Sequence, residues 1–435
     1  MVKIVHLADS HLGYRAGKGI NEQWDIKNHT RPYEQSNYDA FLKVLGDIST
    51  IENLDFVVHG GDMFHTPHEN NPFPPYEPAR KTLKKGLEMF FEKTENKVPF
   101  IYVEGNHGVY KSYDYTPFET EIDKESFPNL HYYKYRDLIE AIQSGKPLTL
   151  EFPEKKVKFY LFPYFEFKSV KSYEVAYNNW IENQKVDTTS TFVTIALAHG
   201  SSGDQTLHSK ILGDLNYDYI ALGHEHGMKK VNERCYFPGT LLPLNFKELY
   251  ENHGYLVVNI DSSSKRLTIE KVNTESWTER DFKMIDIPVS PSEASTAISR
   301  SIEKELQQYH TATGFNAKTS ARLLFNFTGE ITYEMVWKIT NLMTKNRREC
   351  FSRSNEYNIL QLIWNIKDIS DSIEDDVAPG IIEDYILKNP DEEFREFVEQ
   401  ILEEDKTQFQ VEKLTEFGIN AIKKALDIEK KEKEE

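Results

Sequence analysis

Five short clusters of metal-binding residue types follow one another along this chain: Asp9-Ser10-His11, Gly60-Gly61-Asp62, Gly105-Asn106-His107, Ala198-His199-Gly200 and Gly223-His224-Glu225-His226. Carboxylate, imidazole and amide oxygen are the donors that hard and borderline divalent cations take. Two such ions about 3.5–4 Å apart can clamp a phosphodiester and activate water. One carboxylate must then be shared, and Asp62 is the candidate. No cluster contains a cysteine, which disfavours a structural zinc site. Each cluster alone is a weak signal. The ordered set points to a two-metal phosphoesterase site.

The elements that must position these residues are legible beside them. Lys3–Ala8 leads into Asp9, Phe56–Val58 into Gly60-Gly61-Asp62, and Phe100–Val103 into Gly105-Asn106-His107. Phe192–Leu197 leads into His199 and Tyr219–Leu222 into His224. Short apolar runs bounded by glycine suit strands buried on both faces. Ligands at the carboxyl ends of such strands converge on one edge of an α/β sheet. Glycine lets the backbone approach a metal closely.

The chain has 435 residues, enough for two or three domains, and is 39% hydrophobic. No apolar run approaches the roughly 20 residues of a membrane span, so no membrane contact is expected. The start, Met-Val-Lys-Ile-Val-His, runs directly into a strand, and no signal peptide is expected. Two cysteines, Cys235 and Cys350, make no disulfide framework, which suits a reducing cytoplasm. The net charge of −18 argues against nucleic acid only until its distribution is considered. Residues 371–435 hold 21 acids and 9 bases, net −12, whereas residues 280–370 hold 12 bases and 10 acids. A phosphate-binding surface upstream of the acidic end is therefore allowed. Thirteen of the fourteen histidines precede residue 254, so the chemistry belongs to the first part of the chain.

Three segments are expected. Residues 1–278 read as one α/β domain, with helical patterns at Asp39–Ile48 and Ala79–Lys93 and a closing hairpin at 254–272. The proline-rich stretch Asn70–Pro78 reads as a loop. Residues 279–370 alternate strand (Phe282–Ile287, Ala321–Phe327, Asn358–Ile366) and helix (Pro291–His310, Tyr333–Lys345), a small α+β domain. Residues 371–435 read as an acidic linker, two amphipathic helices and a charged tail.

The clusters resemble those of the calcineurin-like metallophosphoesterases. Within that superfamily the chain resembles the archaeal double-strand-break repair nucleases of the meiotic recombination eleven/SbcD family. The matching text is Ala8-Asp9-Ser10-His11-Leu12-Gly13-Tyr14, Gly60-Gly61-Asp62-Met63-Phe64-His65, Lys81-Thr82-Leu83-Lys84-Lys85, Gly105-Asn106-His107 and Ala221-Leu222-Gly223-His224-Glu225-His226. Pro238-Gly239-Thr240 with Asn245-Phe246, and Arg322-Leu323-Leu324-Phe325 further on, also look like that family. The likeness covers residues 1–260 and is weaker beyond.

The resemblance implies a β-sandwich flanked by helices, a small capping domain and a C-terminal helical segment. It implies two Mn2+ per chain, one held by Asp9, His11 and His226, the other by Asn106, His199 and His224, with Asp62 bridging. His107 is then the catalytic histidine that is not a ligand, and His65 matches a second histidine tied to exonuclease action. The implied function is 3'-5' exonuclease and single-strand or hairpin endonuclease action on DNA ends, with a coiled-coil ABC-type, SbcC-like ATPase in break repair. The implied location is cytoplasmic and nucleoid-associated. One departure stands out: the family places an acid after Gly-Asn-His, and this chain has Gly108.

Three surfaces are expected beside the site. Lys345, Arg347, Arg348 and Arg353 form a basic cluster suited to DNA phosphates. Leu83, Leu87, Phe90 and Phe91 exceed one narrow inward stripe, and a homodimer contact is expected there. Phe394, Phe397, Ile401, Leu414 and Phe417 are the apolar anchors expected to dock on the ATPase. His6, His29, His59, His68, His131, His208 and His253 fit no motif and read as ordinary core or surface histidines. Two alternatives compete with the nuclease: a phosphatase or small-molecule phosphodiesterase on the same scaffold, and a DNA- and partner-binding scaffold with secondary catalysis.

Overall fold

The computed structural model describes residues 1–14, 19–21, 32–65, 77–108, 122, 126–168, 171–186, 190–201, 203, 206–290, 295–316 and 318–367. Phe394, Phe397, Ile401, Leu414 and Phe417, and most of the proline-rich stretch, lie outside these residues. No helix among the described residues is long and apolar enough to cross a membrane.

Among the described residues, twelve strands form two six-stranded sheets. In chain order they are β1 (Val2–Leu7), β2 (Phe56–His59), β3 (Phe100–Val103), β4 (Leu130–Tyr133), β5 (Thr149–Phe152), β6 (Val157–Phe162), β7 (Val193–His199), β8 (Tyr219–Gly223), β9 (Lys229–Asn232), β10 (Cys235–Phe237), β11 (Gly254–Ile260) and β12 (Leu267–Asn273). The first sheet has the order β12-β11-β1-β2-β3-β4 and the second β5-β6-β7-β8-β10-β9. The middle of each is parallel: β1 to β4 in the first, β6 to β8 and β10 in the second. Antiparallel strands close both edges of the second sheet and the β12 edge of the first, whose other edge is the parallel β4.

Successive side chains of a strand point to opposite faces, and here both faces are dry. Val2, Ile4, Phe56, Val58, Ile101 and Val103 meet Val157, Phe159, Leu161, Val193, Ile195 and Leu197 from the second sheet in one cluster. The alternate residues Val5, Leu7, Val57, Phe100 and Tyr102 face the helices α1 (Pro32–Ile48) and α2 (Glu77–Lys93). The outer face of the second sheet packs on α3 (Tyr135–Ser144) and α4 (Lys171–Glu182). The result is the expected sandwich, with a helical layer on each side. Fully burying one such side chain stabilises the fold by about 1.5–3 kcal/mol.

Two expectations about α2 are corrected. Its first turn takes in Glu77 and Pro78, because proline is tolerated where the N–H has no helical partner. More consequentially, Leu83, Leu87, Phe90 and Phe91 are all buried within the single chain. The helix packs on α1 as well as on the sheet, so its apolar face must be wide. Gly86 permits the contact: a Cβ there would stand 2.7 Å from Leu45 Cδ1 and 2.9 Å from Phe41 Cε1. The exposed face of the helix carries Lys81, Lys84, Lys85, Glu88 and Glu92.

A third sheet follows, with the order β13 (Phe282–Val289), β14 (Ala321–Gly329), β15 (Ile359–Ile366), together with α5 (Ser295–Gln307) and α6 (Tyr333–Ser352). The larger of two compact units contains Met1–Pro288, Thr296–Phe327 and Met343–Asn365; Thr328–Leu342 belongs to the smaller. Within the larger unit, β15 meets residues 19–21 by backbone bonds, Leu362 N to Gly19 O at 2.9 Å and Asn21 N to Leu360 O at 2.8 Å.

Helix α6 runs past the expected end at Lys345 to Ser352, so Lys345, Arg347 and Arg348 lie on a helix. Lysine and arginine are good helix formers, and no glycine or proline interrupts them. The basic cluster is only partly free. Arg353 pairs with Glu349 at 2.7 Å and with Glu356, surface ion pairs that a phosphate would have to exchange. Arg347 lies 4.9 Å over the Trp364 ring, while Lys345 and Arg348 are exposed.

Candidate metal centre

The parallel ladder between β1 and β2 continues beyond both strands. Gly60 N bonds Leu7 O at 2.8 Å, Asp9 N bonds Gly61 O at 3.0 Å, His11 N bonds Asp62 O at 3.0 Å and Leu12 N bonds Met63 O at 2.9 Å. This pairing carries Asp9, His11 and Asp62 off the strand ends side by side. From α1, Asn37 Nδ2 clamps the first loop, donating to Ser10 O at 3.0 Å and His11 O at 3.1 Å. The backbone is strained at the metal-type residues: φ is 50° at Asp9, 41° at His11, 50° at Asp62 and 114° at His224. Non-glycine residues held in such regions cost on the order of 1–3 kcal/mol each and cluster at functional sites. At Gly61, φ is 110° and a Cβ would collide with the His199 ring.

All seven expected ligand side chains converge. On one side His11 Nε2 stands 3.0 Å from His226 Nε2 and 3.8 Å from Asp62 Oδ2. On the other, His199 Nε2 stands 2.8 Å from Asn106 Oδ1 and 3.5 Å from Asp62 Oδ2, while His224 Nδ1 stands 3.1 Å from Asn106 Oδ1 and 3.3 Å from His199 Nε2. Asp62 thus faces both donor sets. Asp9 is fixed on the first side, accepting from His224 N at 2.9 Å. Its ligand atoms group with those of His11 and His226, and separately with those of Asp62 and His199.

The donor chemistry fits cations. A ligating histidine normally gives its other ring N–H to an outer acceptor. His199 Nδ1 donates to Gly60 O at 2.7 Å, leaving Nε2 turned to Asn106. His226 Nδ1 donates to Glu248 Oε1 at 2.9 Å, leaving Nε2 turned to His11. His11 Nδ1 meets His65 Nδ1 at 2.9 Å, leaving its Nε2 turned inward. In each ring one nitrogen is committed outward and the other turns into the site, toward Asp62 for His11 and His199 and toward His11 for His226.

The two further expected site residues are adjacent to this centre. The His65 ring stacks on His107, with centroids 4.3 Å apart and 25° between planes, and meets Tyr14 edge-on at 4.8 Å. The His107 ring is 5.0 Å from that of His11. His107 also serves through its backbone, whose N–H donates to Asp62 Oδ1 at 2.8 Å. The unexpected Gly108 has a local reason: a Cβ there would lie 2.8 Å from Glu104 Cγ, so the buried Glu104 side chain fills the space a larger residue would need.

Four supporting residues escaped sequence reasoning: Glu248, Asn37, His59 and His6. The buried Glu248 carboxylate accepts from His226, Asn245 Nδ2 and Leu244 N. An Asn-x-x-Glu helix-start spacing at 245–248 was the one signal for it. His59, expected to be an ordinary histidine, accepts from Gly61 N at 3.3 Å and donates to Ser10 Oγ at 2.8 Å, tying two ligand loops together. His6 joins the two sheets through Tyr219 Oη at 2.8 Å and Leu222 O at 3.0 Å. Burial lowers both of these histidines to about 3, so both are neutral.

Electrostatics in the absence of cations is unfavourable. Burial pushes Asp9 up to about 7 against the pull of His226, and burial with the Asp9 charge pushes Asp62 well above the carboxylate range. Burial and neighbouring imidazoles drive His11 and His199 well down. His226 goes the other way: burial opposes its charge, but the Glu248 hydrogen bond and nearby carboxylates raise it to about 9.

The fold and this geometry agree with the comparisons. The profile of calcineurin-like phosphoesterases matches residues 2–228, and the chain belongs to that family. Members bind divalent metals, and the described residues include three His and Asp groups able to hold one. Its relatives include the SbcD component of the SbcCD nuclease of Staphylococcus epidermidis, 25% identical over 285 residues, or 60% of this chain and 67% of that protein. They include the DNA double-strand break repair protein Mre11 of Methanococcus maripaludis, 30% identical over 111 residues, and that of Methanocaldococcus jannaschii, 33% identical over 103. The archaeal matches cover 26% and 24% of this chain and 24% and 22% of those proteins.

Ligation at this centre would require Asp9 and Asp62 without their protons and His226 Nε2 with a free lone pair. Protons and metal therefore compete, and the sign is fixed: affinity falls as pH drops. With burial holding Asp9 at about 7 and the Glu248 pairing holding His226 at about 9, affinity for a divalent cation is expected to weaken as pH falls through that range. Calorimetric titration across that range checks this. An affinity independent of pH would contradict the proton inventory.

Proposed function

We propose that this chain is a manganese-dependent DNA nuclease, cutting as a 3'-5' exonuclease and as an endonuclease on single strands and hairpins. The observation that carries this reading is Asp62 facing two donor sets, with the His65–His107 stack alongside. In this reading Asp9, His11, His226 and Asp62 hold one Mn2+, and Asn106, His199, His224 and Asp62 hold the other. Bound ions supply Lewis acidity toward a phosphodiester and a water nucleophile at neutral pH. The chain's own residues do the rest. Glu248, Gly60 O and His65 fix the ring orientations of His226, His199 and His11. The half-buried His107 ring hydrogen-bonds the phosphate or the leaving oxygen, and the stacked His65 ring limits its rotation. DNA as substrate is supported by the nuclease and break-repair names of the relatives and by exposed Lys345 and Arg348.

Cleavage of end-labelled duplex, hairpin and single-stranded DNA, beside a generic phosphodiester, tests this. Asp62→Ala is expected to abolish activity, since both donor sets lose a member. His107→Ala keeps its backbone bond to Asp62, so it should bind Mn2+ normally while cleaving about 10²–10⁴-fold more slowly. A folded Asp62→Ala protein with near-normal cleavage sinks the site. A wild-type protein that hydrolyses only the generic substrate is a small-molecule phosphodiesterase instead.

The Staphylococcus epidermidis relative is named as one component of SbcCD, and by that likeness the proposal includes an SbcC-like coiled-coil ATPase partner. The amphipathic pattern of 379–428 makes that segment the proposed contact. A chain ended after Ser370 retains every proposed ligand, so it should keep basal cleavage and lose co-purification with the ATPase. Unimpaired complex formation would move the contact elsewhere.

A further inference from the structure

Arg322 is among the largest fully buried side chains, 1% exposed, and it lies on β14, far in sequence from every metal-type cluster. A buried guanidinium is costly unless its donors are used. Arg322 Nε donates to Gln361 Oε1 at 2.7 Å and Nη2 donates to Leu244 O at 3.0 Å. Its plane lies 4.0 Å over the Phe282 ring and 5.6 Å from the Phe246 ring. The residue it holds is the one that holds Glu248: Leu244 N donates to Glu248 Oε2 at 2.6 Å. The same carboxylate accepts from His226 Nδ1 at 2.9 Å. From behind, His253 Nε2 donates to the Glu248 carbonyl at 3.0 Å. Two hydrogen bonds through one residue, Leu244, therefore separate a guanidinium on the third sheet from a carboxylate that aims a metal-type imidazole.

We propose that Arg322 is a positioning residue for the metal centre, acting through the 244–248 turn and Glu248 on His226. This rests on the two-metal reading above. Outer partners of metal-ligating histidines typically contribute 10–100-fold to affinity. If Arg322 acts through Glu248, its loss and that of Glu248 must not add. A purely structural Arg322 would lower thermal stability and leave the metal affinity of the folded protein unchanged.

The experiment is calorimetric Mn2+ titration of the full chain, with circular dichroism to confirm folding. The variants are Glu248→Ala, Arg322→Met, Arg322→Lys and the Glu248→Ala/Arg322→Met double. Wild type is expected to take up two ions. Glu248→Ala should weaken one of the two sites about 10–100-fold and spare the other. Arg322→Met should weaken the same site, Arg322→Lys should weaken it less because one donor can still reach Leu244 O, and the double variant should match Glu248→Ala. If Arg322→Met fails to fold, Arg322→Lys carries the comparison. Unchanged affinity in a folded Arg322 variant, or losses that add in the double, overturns the proposal. A wild-type chain that binds no Mn2+ overturns the two-metal reading instead, so the two failures are told apart.

Discussion

Two carboxylates, Asp9 and Asp62, are buried against each other and against a crowd of imidazoles, and the organisation around them follows from that. Desolvation alone makes such a cluster unfavourable, since an ionised carboxylate in a dry site needs a compensating charge. The chain adds strain by holding Asp9, His11, Asp62 and His224 at positive φ. A fold tolerates this only when the surrounding packing leaves the loops no other conformation. Divalent cations would supply the missing positive charge and turn the repulsion into ligation.

The surroundings meet that demand. Strands buried on both faces are stiff platforms, and their parallel ladder runs on through the first ligand loops rather than ending at the strand tips. Neutral buried histidines act as struts: His59 links two loops and His6 links two sheets. Outer acceptors are spread over the fold, with Gly60 O from one sheet aiming His199 of the other and Glu248 aiming His226. The centre is thereby tied to both sheets, to α1 and, through Leu244, to the third sheet.

Much of the inner site was legible in the sequence because its residues sit at strand ends, where an apolar run leads, directly or through glycine, into a polar ligand type. Asp9, Asp62, His199 and His224 were all readable in this way. Glu248 and Asn37 were not, since each is a single polar residue that reaches the centre from another element, across 22 and 26 residues of chain to its partner. Periodicity also misled where one element has two partners. A helix buried against both a sheet and a neighbouring helix, as α2 is, shows more apolar positions than a one-sided amphipath, and the surplus resembles an interface. The early end expected for α6 was wrong because the basic run that looked like a surface patch is itself made of good helix formers with no glycine or proline to stop them.

The central claim is that Asp62 is shared between two cation positions. Crystals grown with Mn2+ and measured near the manganese absorption edge test it most directly. The account predicts two anomalous peaks flanking the Asp62 carboxylate, one against Asp9, His11 and His226 and the other against Asn106, His199 and His224. A single peak, or peaks away from Asp62, would contradict it.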